Sequence, residues 1–169
     1  STYFGVFYDE NEEAVILGTK KEIGTGKSNT KLLVEATKKY KIKNCYDSTE
    51  YISDESKLAA VYIDNYELNG YNDWFLPSYD ELYAIYDAWF NDMDAFGGGT
   101  KSFIVTNNRD FWSSSEDSAT AIMSQVFFTS QMISRNRHST NSSFVFAVRS
   151  FLWWVELKIM DILGNNPKC

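Results

Sequence analysis

The spacing of apolar residues changes along the chain, from a strand-like start through helical segments to a series of short strands. The stretch 2–8 is rich in aromatic and β-branched residues, which is typical of a strand. Four polar residues, 9–12, follow as a turn, and apolar character returns over 13–17. The pattern therefore predicts an N-terminal β-hairpin.

Two helices are predicted in the next part of the chain. The first runs from about Thr30 to Tyr40, with Leu33, Ala36 and Tyr40 on one side. The second opens at 53–56 and ends before the Asn-Gly pair at 69–70. Its predicted buried stripe consists of Leu58, Val61 and Tyr62.

A third helix has the clearest start signal in the sequence. Ser78 and Glu81 stand three residues apart, as in a capping box, where each side chain bonds the other residue's backbone amide. Apolar residues then recur at helical spacing to about Phe90, which predicts an amphipathic helix. These residues are Leu82, Ile85, Tyr86 and Trp89.

Short strands are predicted after the glycine run 97–99, at 111–115, 121–129 and 143–151. A hairpin, then helices, then strands is the order expected of an α+β protein with a mainly antiparallel sheet. The segment Phe151–Leu163 fits both a helix and an alternating strand, and the sequence leaves this open.

Length and composition exclude several classes of protein. A chain of 169 residues suits one domain, and its net charge of −7 argues against general nucleic-acid binding. No apolar run reaches 18 residues, so no membrane span is expected. Cys45 and Cys169 alone make neither a disulfide framework nor a four-ligand metal site.

No residue pattern points to catalysis. The Gly24–Ser28 stretch lacks the spacing of a phosphate-binding loop and is interpreted as a turn before a helix. Asp92 and Asp94 begin no EF-hand, because Phe96 and Phe103 occupy ligand positions; a calcium site of another kind stays open. One histidine makes no His-rich metal site, and no serine lies in a nucleophile-elbow sequence. The 23 acidic residues offer many carboxylate pairs for glycoside chemistry but single none out, so an enzyme is not expected.

The composition of residues 117–149 differs from that of the rest of the chain. This 33-residue window contains no Lys, Glu, Trp, Tyr, Leu, Gly or Pro, and it is rich in Ser and Thr. Three arginines against one aspartate leave it at +2 within a chain of −7. On composition alone, an adaptable ligand-binding surface and a Ser/Thr-rich sheet with one solvated face are equally good interpretations.

Four segments together resemble the Lcl C-terminal domain family of bacterial proteins. They are Gly24–Thr30 (GTGKSNT), Asn69–Leu82 (NGYNDWFLPSYDEL), Phe111–Glu116 (FWSSSE) and Val145–Arg149 (VFAVR). The match covers most of residues 1–151. It departs from the family pattern at Met123, where members usually have Trp, at Ser130 or a neighbour, where they have Gly, and at Phe146, where they have Arg.

The resemblance implies a C-type lectin-like fold, similar to that of formylglycine-generating enzyme, with two or three helices and short, mainly antiparallel strands. It also implies an extracellular or cell-surface protein of a bacterium or phage, with no signal or anchor expected within this chain. The activity of formylglycine-generating enzyme needs paired cysteines, and the C-terminal strands contain none. Kinship of fold therefore does not imply that activity.

Some family members are variable proteins of diversity-generating retroelements, which mutate adenines in a C-terminal segment. Randomising both adenines of an AAC or AAT codon never yields Lys, Glu, Trp, Met or Gln, so diversification would require Met123, Gln125, Gln131 and Met132 to be fixed or unrelated positions. Lys, Glu and Trp make up 28 of the 136 residues outside the window, so about seven would be expected inside it by proportion. Such diversification implies a neighbouring reverse-transcriptase gene and a near-repeat of codons 117–149.

Together these observations predict one domain, 1–151, acting as a non-catalytic ligand-binding module without a cofactor, with 152–169 as its extension or an assembly segment. The expected ligand is a protein or carbohydrate on another cell or surface. The expected scaffold residues are Trp74, Leu76, Pro77, Ser78, Glu81, Leu82 and Trp112, with Arg149 in a structural ion pair. The expected ligand contacts are Ser118, Thr120, Ser124, Phe128, Arg135, Asn136, Arg137, His138, Phe144 and Phe146.

Two alternative functions remain open at this point. A structural or assembly protein of a bacterial surface or phage particle would bury the apolar 151–163 segment in a partner subunit, making a homo-oligomer. An enzyme related to formylglycine-generating enzyme is the weaker alternative.

Overall fold

The computed structural model describes residues 2, 4–43, 51–91, 110–126, 131–136 and 144–150. These residues form helices and small sheets, as expected for an α+β protein. No helix among them is long and apolar enough to cross a bilayer. The predictions for Phe151–Leu163, for 152–169 and for the two cysteines lie outside the described residues.

The first strand has a different partner from the one predicted. Strand β1 (Val6–Tyr8) pairs antiparallel with β2 (Lys41–Lys43), and Ala14 contributes only an isolated bridge to Tyr8. The predicted hairpin is confirmed as a short one, closed by hydrogen bonds from the amides of Asp9 and Val15 to the carbonyls of Glu13 and Phe7, but its second arm forms no full strand. Its second arm cannot continue as a strand because the amides of residues 17–19 bond a distant side chain instead, as described below.

Helix α1 (Gly26–Thr37) begins and ends a few residues before its predicted bounds. It follows a turn in which Gly24 has a φ of +90°, so the predicted glycine turn is confirmed. Leu33 and Ala36 are buried as predicted. At Gly26 the backbone is closely packed, because a β-carbon there would lie 2.2 Å from a carboxylate oxygen of Glu81.

The second predicted helix divides in two. A 3₁₀ turn (Glu55–Lys57) precedes α2 (Ala59–Asp64), because Leu58 between them is extended. Leu58 is buried as predicted, but Val61 and Tyr62 are only half-buried. The apolar residues that α2 buries fully are Ala59, Ala60 and Ile63.

Helix α3 (Tyr79–Asn91) starts with the predicted capping box. The amide of Glu81 donates to Ser78 Oγ at 3.3 Å, and the amide of Ser78 donates to Glu81 Oε2 at 2.7 Å. Leu82 and Ile85 are buried on its inner face, as is Tyr86. Both the start and the apolar stripe of this helix were readable from sequence.

The larger sheet has the strand order β5-β4-β3-β6. Its strands are β3 (Asp110–Ser118), β4 (Ala121–Val126), β5 (Gln131–Asn136) and β6 (Phe144–Val145). Strands β3, β4 and β5 pair antiparallel, whereas β6 is parallel to β3. The sequence did not predict β5, and it extended the last strand well beyond the two residues that β6 contains.

The core consists of two apolar clusters. The larger one joins β1, α1, α2 and the sheet, and its members include Phe7, Leu33, Leu76, Trp112 and Ile122. The smaller one packs α3 against the start of β3. The predicted scaffold residues Trp74, Leu76, Pro77, Ser78, Leu82 and Trp112 are all buried.

Phe146 lies in the smaller cluster and not on the surface. It is 3% exposed, and its ring stacks on that of Phe111 with centroids 4.1 Å apart. The parallel pairing of β6 with β3 brings the two rings together. The prediction that Phe146 offers contact area to a ligand is therefore corrected: its ring stabilises the core.

Candidate functional site

The polar residues of the sequence motifs converge on the loop that precedes α1. We call residues 17–25 the clamp loop. The buried Glu116 carboxylate, at the far end of β3, accepts hydrogen bonds from the amides of Leu17, Gly18 and Thr19 at 2.9–3.2 Å. Successive amides that converge on one carboxylate form an anion-binding nest, which here holds a side chain of the same chain.

The contact between Glu116 and Thr19 is reciprocal. The Glu116 amide donates to Thr19 Oγ1 at 2.7 Å, while the Thr19 amide donates to the Glu116 carboxylate at 3.2 Å. The same exchange occurs in a helical capping box, but here the two residues are 97 positions apart. The pair therefore ties the end of β3 to the clamp loop through both backbone and side chain.

The serines before Glu116 bond neighbouring backbone groups. Ser115 Oγ donates to the carbonyl of Lys20 at 2.7 Å and accepts from the amide of Tyr79 at 2.9 Å. Ser114 donates twice to the carbonyl of Pro77, from its amide at 2.7 Å and from its hydroxyl at 3.1 Å. These hydroxyls point to carbonyl oxygens, which do not activate a nucleophile.

Asn29, in the first motif, holds the middle of the clamp loop from the helix side. Its Oδ1 accepts from the amide of Lys20 at 2.9 Å, and its Nδ2 donates to the Lys20 carbonyl at 2.7 Å. The same Nδ2 lies 3.2 Å from Ser114 Oγ. A buried amide side chain thus replaces the strand partner that this part of the loop lacks.

The capping box of α3 holds the last part of the clamp loop. Glu81 Oε1 accepts from the amide of Gly24 at 2.9 Å, in addition to the bond that Oε2 makes with Ser78. Ser78 Oγ also donates to the carbonyl of Glu22 at 2.9 Å. Three of the four motif segments therefore meet at one loop, and their polar groups serve structure.

The fourth motif segment joins the second through Arg149. Its guanidinium forms an ion pair with Asp73 and lies over the Tyr71 ring, 3.5 Å from the centroid. The backbones of Phe75 and Val148 pair beside it through two hydrogen bonds of 3.0 Å. The predicted structural role of Arg149 is confirmed. The hydrogen bond that Arg149 donates, together with its positive charge, holds the pKa of Asp73 below the usual range.

The predicted ligand contacts do not all lie together. Ser118 ends β3, Thr120 is exposed in the β3–β4 turn, and Asn136 pairs with Ala121 at the same end of the sheet. Phe144 pairs with Phe111 near the other end of β3, about 23 Å away for seven extended residues. The structure therefore brings one small group together at the turn and leaves Phe144 apart.

Two further predicted contacts lie opposite core residues in the ladder. Ser124 is opposite Trp112, and Arg135 is opposite Ile122. Trp112 and Ile122 are both buried. The register therefore favours a binding surface at the end or the edge of this sheet over one on its face. The predicted contacts Phe128, Arg137 and His138 lie outside the described residues.

In the part of the chain that the structure describes, no three His, Cys, Asp or Glu side chains come together as a metal site would require. The Asp92–Asp94 stretch lies outside this part. A calcium site of a kind other than an EF-hand therefore stays a prediction.

Sequence reasoning missed a second polar cluster, on the β1–β2 side. Glu12 has a positive φ of 62°, and its carboxylate lies 3.2 Å from Lys43 Nζ and accepts a bond from the Tyr51 hydroxyl. The Lys43 ammonium lies 4.4 Å from the centroid of the Tyr8 ring. No sequence motif predicts this cluster, because the cluster depends on the pairing of β1 with β2, which the sequence did not predict.

Comparison of the chain with protein-family models, with curated proteins and with solved structures finds no match. The family resemblance of the motifs stays a prediction.

We expect Glu116→Gln to destabilise the protein by about 2–3 kcal/mol, because the amides of residues 17–19 lose a charged acceptor in a buried place. Urea unfolding at pH 7 measures this change. Asp117→Asn is the matched control. The exposed ion pair of Asp117 with Lys21, 3.7 Å long, contributes at most about 1 kcal/mol. Equal effects of the two substitutions would contradict the inference that Glu116 holds the clamp loop in place.

The Asp73–Arg149 pair predicts a specific pH dependence. Because the pKa of Asp73 is lowered in the folded state, the pair stabilises the protein above the usual carboxyl pKa and loses that effect as pH falls through the folded value. The stability difference between wild type and Asp73→Asn should therefore be constant above about pH 5 and shrink as the pH falls below the usual carboxyl pKa of about 4. Parallel stability curves of the two proteins over this range would contradict the assignment.

Proposed function

We propose that this chain is a non-catalytic ligand-binding module with a C-type lectin-like fold. Its binding surface is formed by the part of the chain that begins at Asp117. The ligand is a protein or carbohydrate on another cell or surface, and the module acts outside the cell.

One observation carries this proposal: burial and composition change at the same point in β3. Ser113, Ser114 and Ser115 are fully buried and Glu116 is 6% exposed, whereas Asp117 and Thr120 are exposed. The window without Lys, Glu or Trp begins at Asp117. A buried scaffold and an exposed turn therefore adjoin within one strand, as a binding surface carried by a fixed scaffold requires, while Ile122, Phe146 and Ala147 of the window belong to the core.

The distribution of charge supports the same division. The window is at +2 in a chain of −7. Of its charged residues, Arg149 pairs with Asp73 and Asp117 pairs with Lys21. The remaining charges in the window are the arginines at 135 and 137, so the surface suits an acidic ligand.

The interlocked motifs support a binding module over an enzyme. The buried polar groups that could act in catalysis, including Ser114, Ser115 and Glu116, bond backbone groups of the scaffold. The lectin-like fold and the placement outside the cell rest on the resemblance of the motifs. The retroelement hypothesis rests on that resemblance and on the composition of the window.

Two display libraries test this proposal. The first randomises Ser118, Thr120 and Asn136, and the second randomises Ser114, Ser115 and Glu116. Selection uses a glycan array and a panel of purified bacterial surface proteins. We expect the first library to keep the fold, with stability within about 0.5 kcal/mol of wild type, and to yield binders of differing specificity. The second library should yield mainly unfolded variants, because it removes clamp hydrogen bonds.

The proposal fails if the first library loses the fold as often as the second. It also fails if folded members of the first library all bind the same targets as the wild type, because the randomised positions would then have no part in recognition.

A further inference from the structure

Strand β5 ends the larger sheet. Within the described part of the chain it pairs with β4 alone, over all six of its residues, from Gln131 to Asn136. The ladder has no register shift, whereas the ladder between β3 and β4 has two. The strand at the opposite edge, β6, has only two residues. β5 is therefore the long, regular edge of this sheet.

This edge lacks the features that usually prevent strands from pairing with other chains. Natural edge strands are protected by lysines, prolines, bulges or shortness. β5 contains no lysine, proline or glycine, and its one charged residue is Arg135. The whole window shares this composition, since it has no Lys, Glu, Gly or Pro. The edge that this chain presents is therefore unprotected.

We propose that β5 binds an extended segment of a partner protein, which adds to the sheet as a further strand. This proposal rests on the binding function proposed above and names its partner class. In strand addition, main-chain hydrogen bonds supply affinity and alternate side chains supply specificity. Side chains in the window could then change and alter specificity while the main-chain docking geometry stays constant.

Charge identifies the occupant as an acidic segment of another protein. Residues 127–143, which include β5, carry Arg135, Arg137 and His138 and no acidic residue. An acidic partner strand would complement this charge. A second copy of the chain fits less well, because pairing two β5 strands would bring like charges together and each copy carries a net charge of −7.

The test begins with selection of random twelve-residue peptides against the full chain by display. Each selected peptide is then synthesised in three forms: unmodified, N-methylated at odd positions and N-methylated at even positions. Because successive amides of a strand point to opposite sides, methylation in one phase blocks pairing and in the other leaves it intact. We expect one phase to raise Kd by about tenfold or more, and the other to change it by less than about threefold.

Two measurements on the protein side complete the test. Bound peptide should slow hydrogen exchange at alternate amides of β5, because only those amides point away from β4. Arg135→Glu should weaken binding of acidic peptides by about tenfold, whereas Lys31→Glu, on the exposed side of α1, is the matched control and should not.

Equal binding of both methylated forms would overturn strand addition and leave the proposed binding function intact, because recognition would then use side chains alone. Strand addition would also be overturned if no peptide were selected while the library with randomised turn positions still yielded binders. The proposed binding function would again remain intact. Sedimentation could instead show a dimer in which the alternate amides of β5 are protected from exchange. Such a dimer would overturn the assignment of β5 to a separate partner protein.

Discussion

The fold depends on a buried carboxylate that is held by amides from the other end of the chain. Glu116 lies 99 residues after Leu17, yet its side chain bonds the backbone of Leu17, Gly18 and Thr19. A buried charge is stable only when hydrogen bonds replace the water it has lost. Among the described residues no strand pairs with the clamp loop, so the carboxylate and the loop each satisfy the other. The sheet, α1 and the start of α3 all bond the clamp loop, at successive residues from Leu17 to Gly24.

The parts of the fold that were readable from sequence are those with local signals. The capping box at Ser78 and the stripe that follows it depend on residues within one or two turns of helix, and both were predicted. The partner of β1 and the existence of β5 were not predicted, because strand pairing is decided by contacts distant in sequence. The motifs marked the clamp residues as a set, but Thr19 lies outside every motif, so the reciprocal bond to Glu116 was missed.

The candidate binding site could be predicted from sequence only to a similar extent. The composition of the window located the change at Asp117, and the burial of β3 changes at the same residue. Composition could not show which residues inside the window are buried and which are exposed. The parallel pairing of β6 buries Phe146, and the register of β4 and β5 sets Arg135 opposite a core residue. Which polar residues face a ligand therefore depends on sheet register, which a single sequence does not specify.

Native-state amide hydrogen exchange tests the clamp most directly. If the clamp loop is part of the cooperative fold, the amides of Leu17, Gly18 and Thr19 should exchange only on global unfolding, with opening free energies within about 1 kcal/mol of the stability from urea. The amide of Thr120, in the exposed turn, should exchange far faster. If the three clamp amides exchanged as fast as Thr120, Glu116 would not hold the loop and the account would be contradicted.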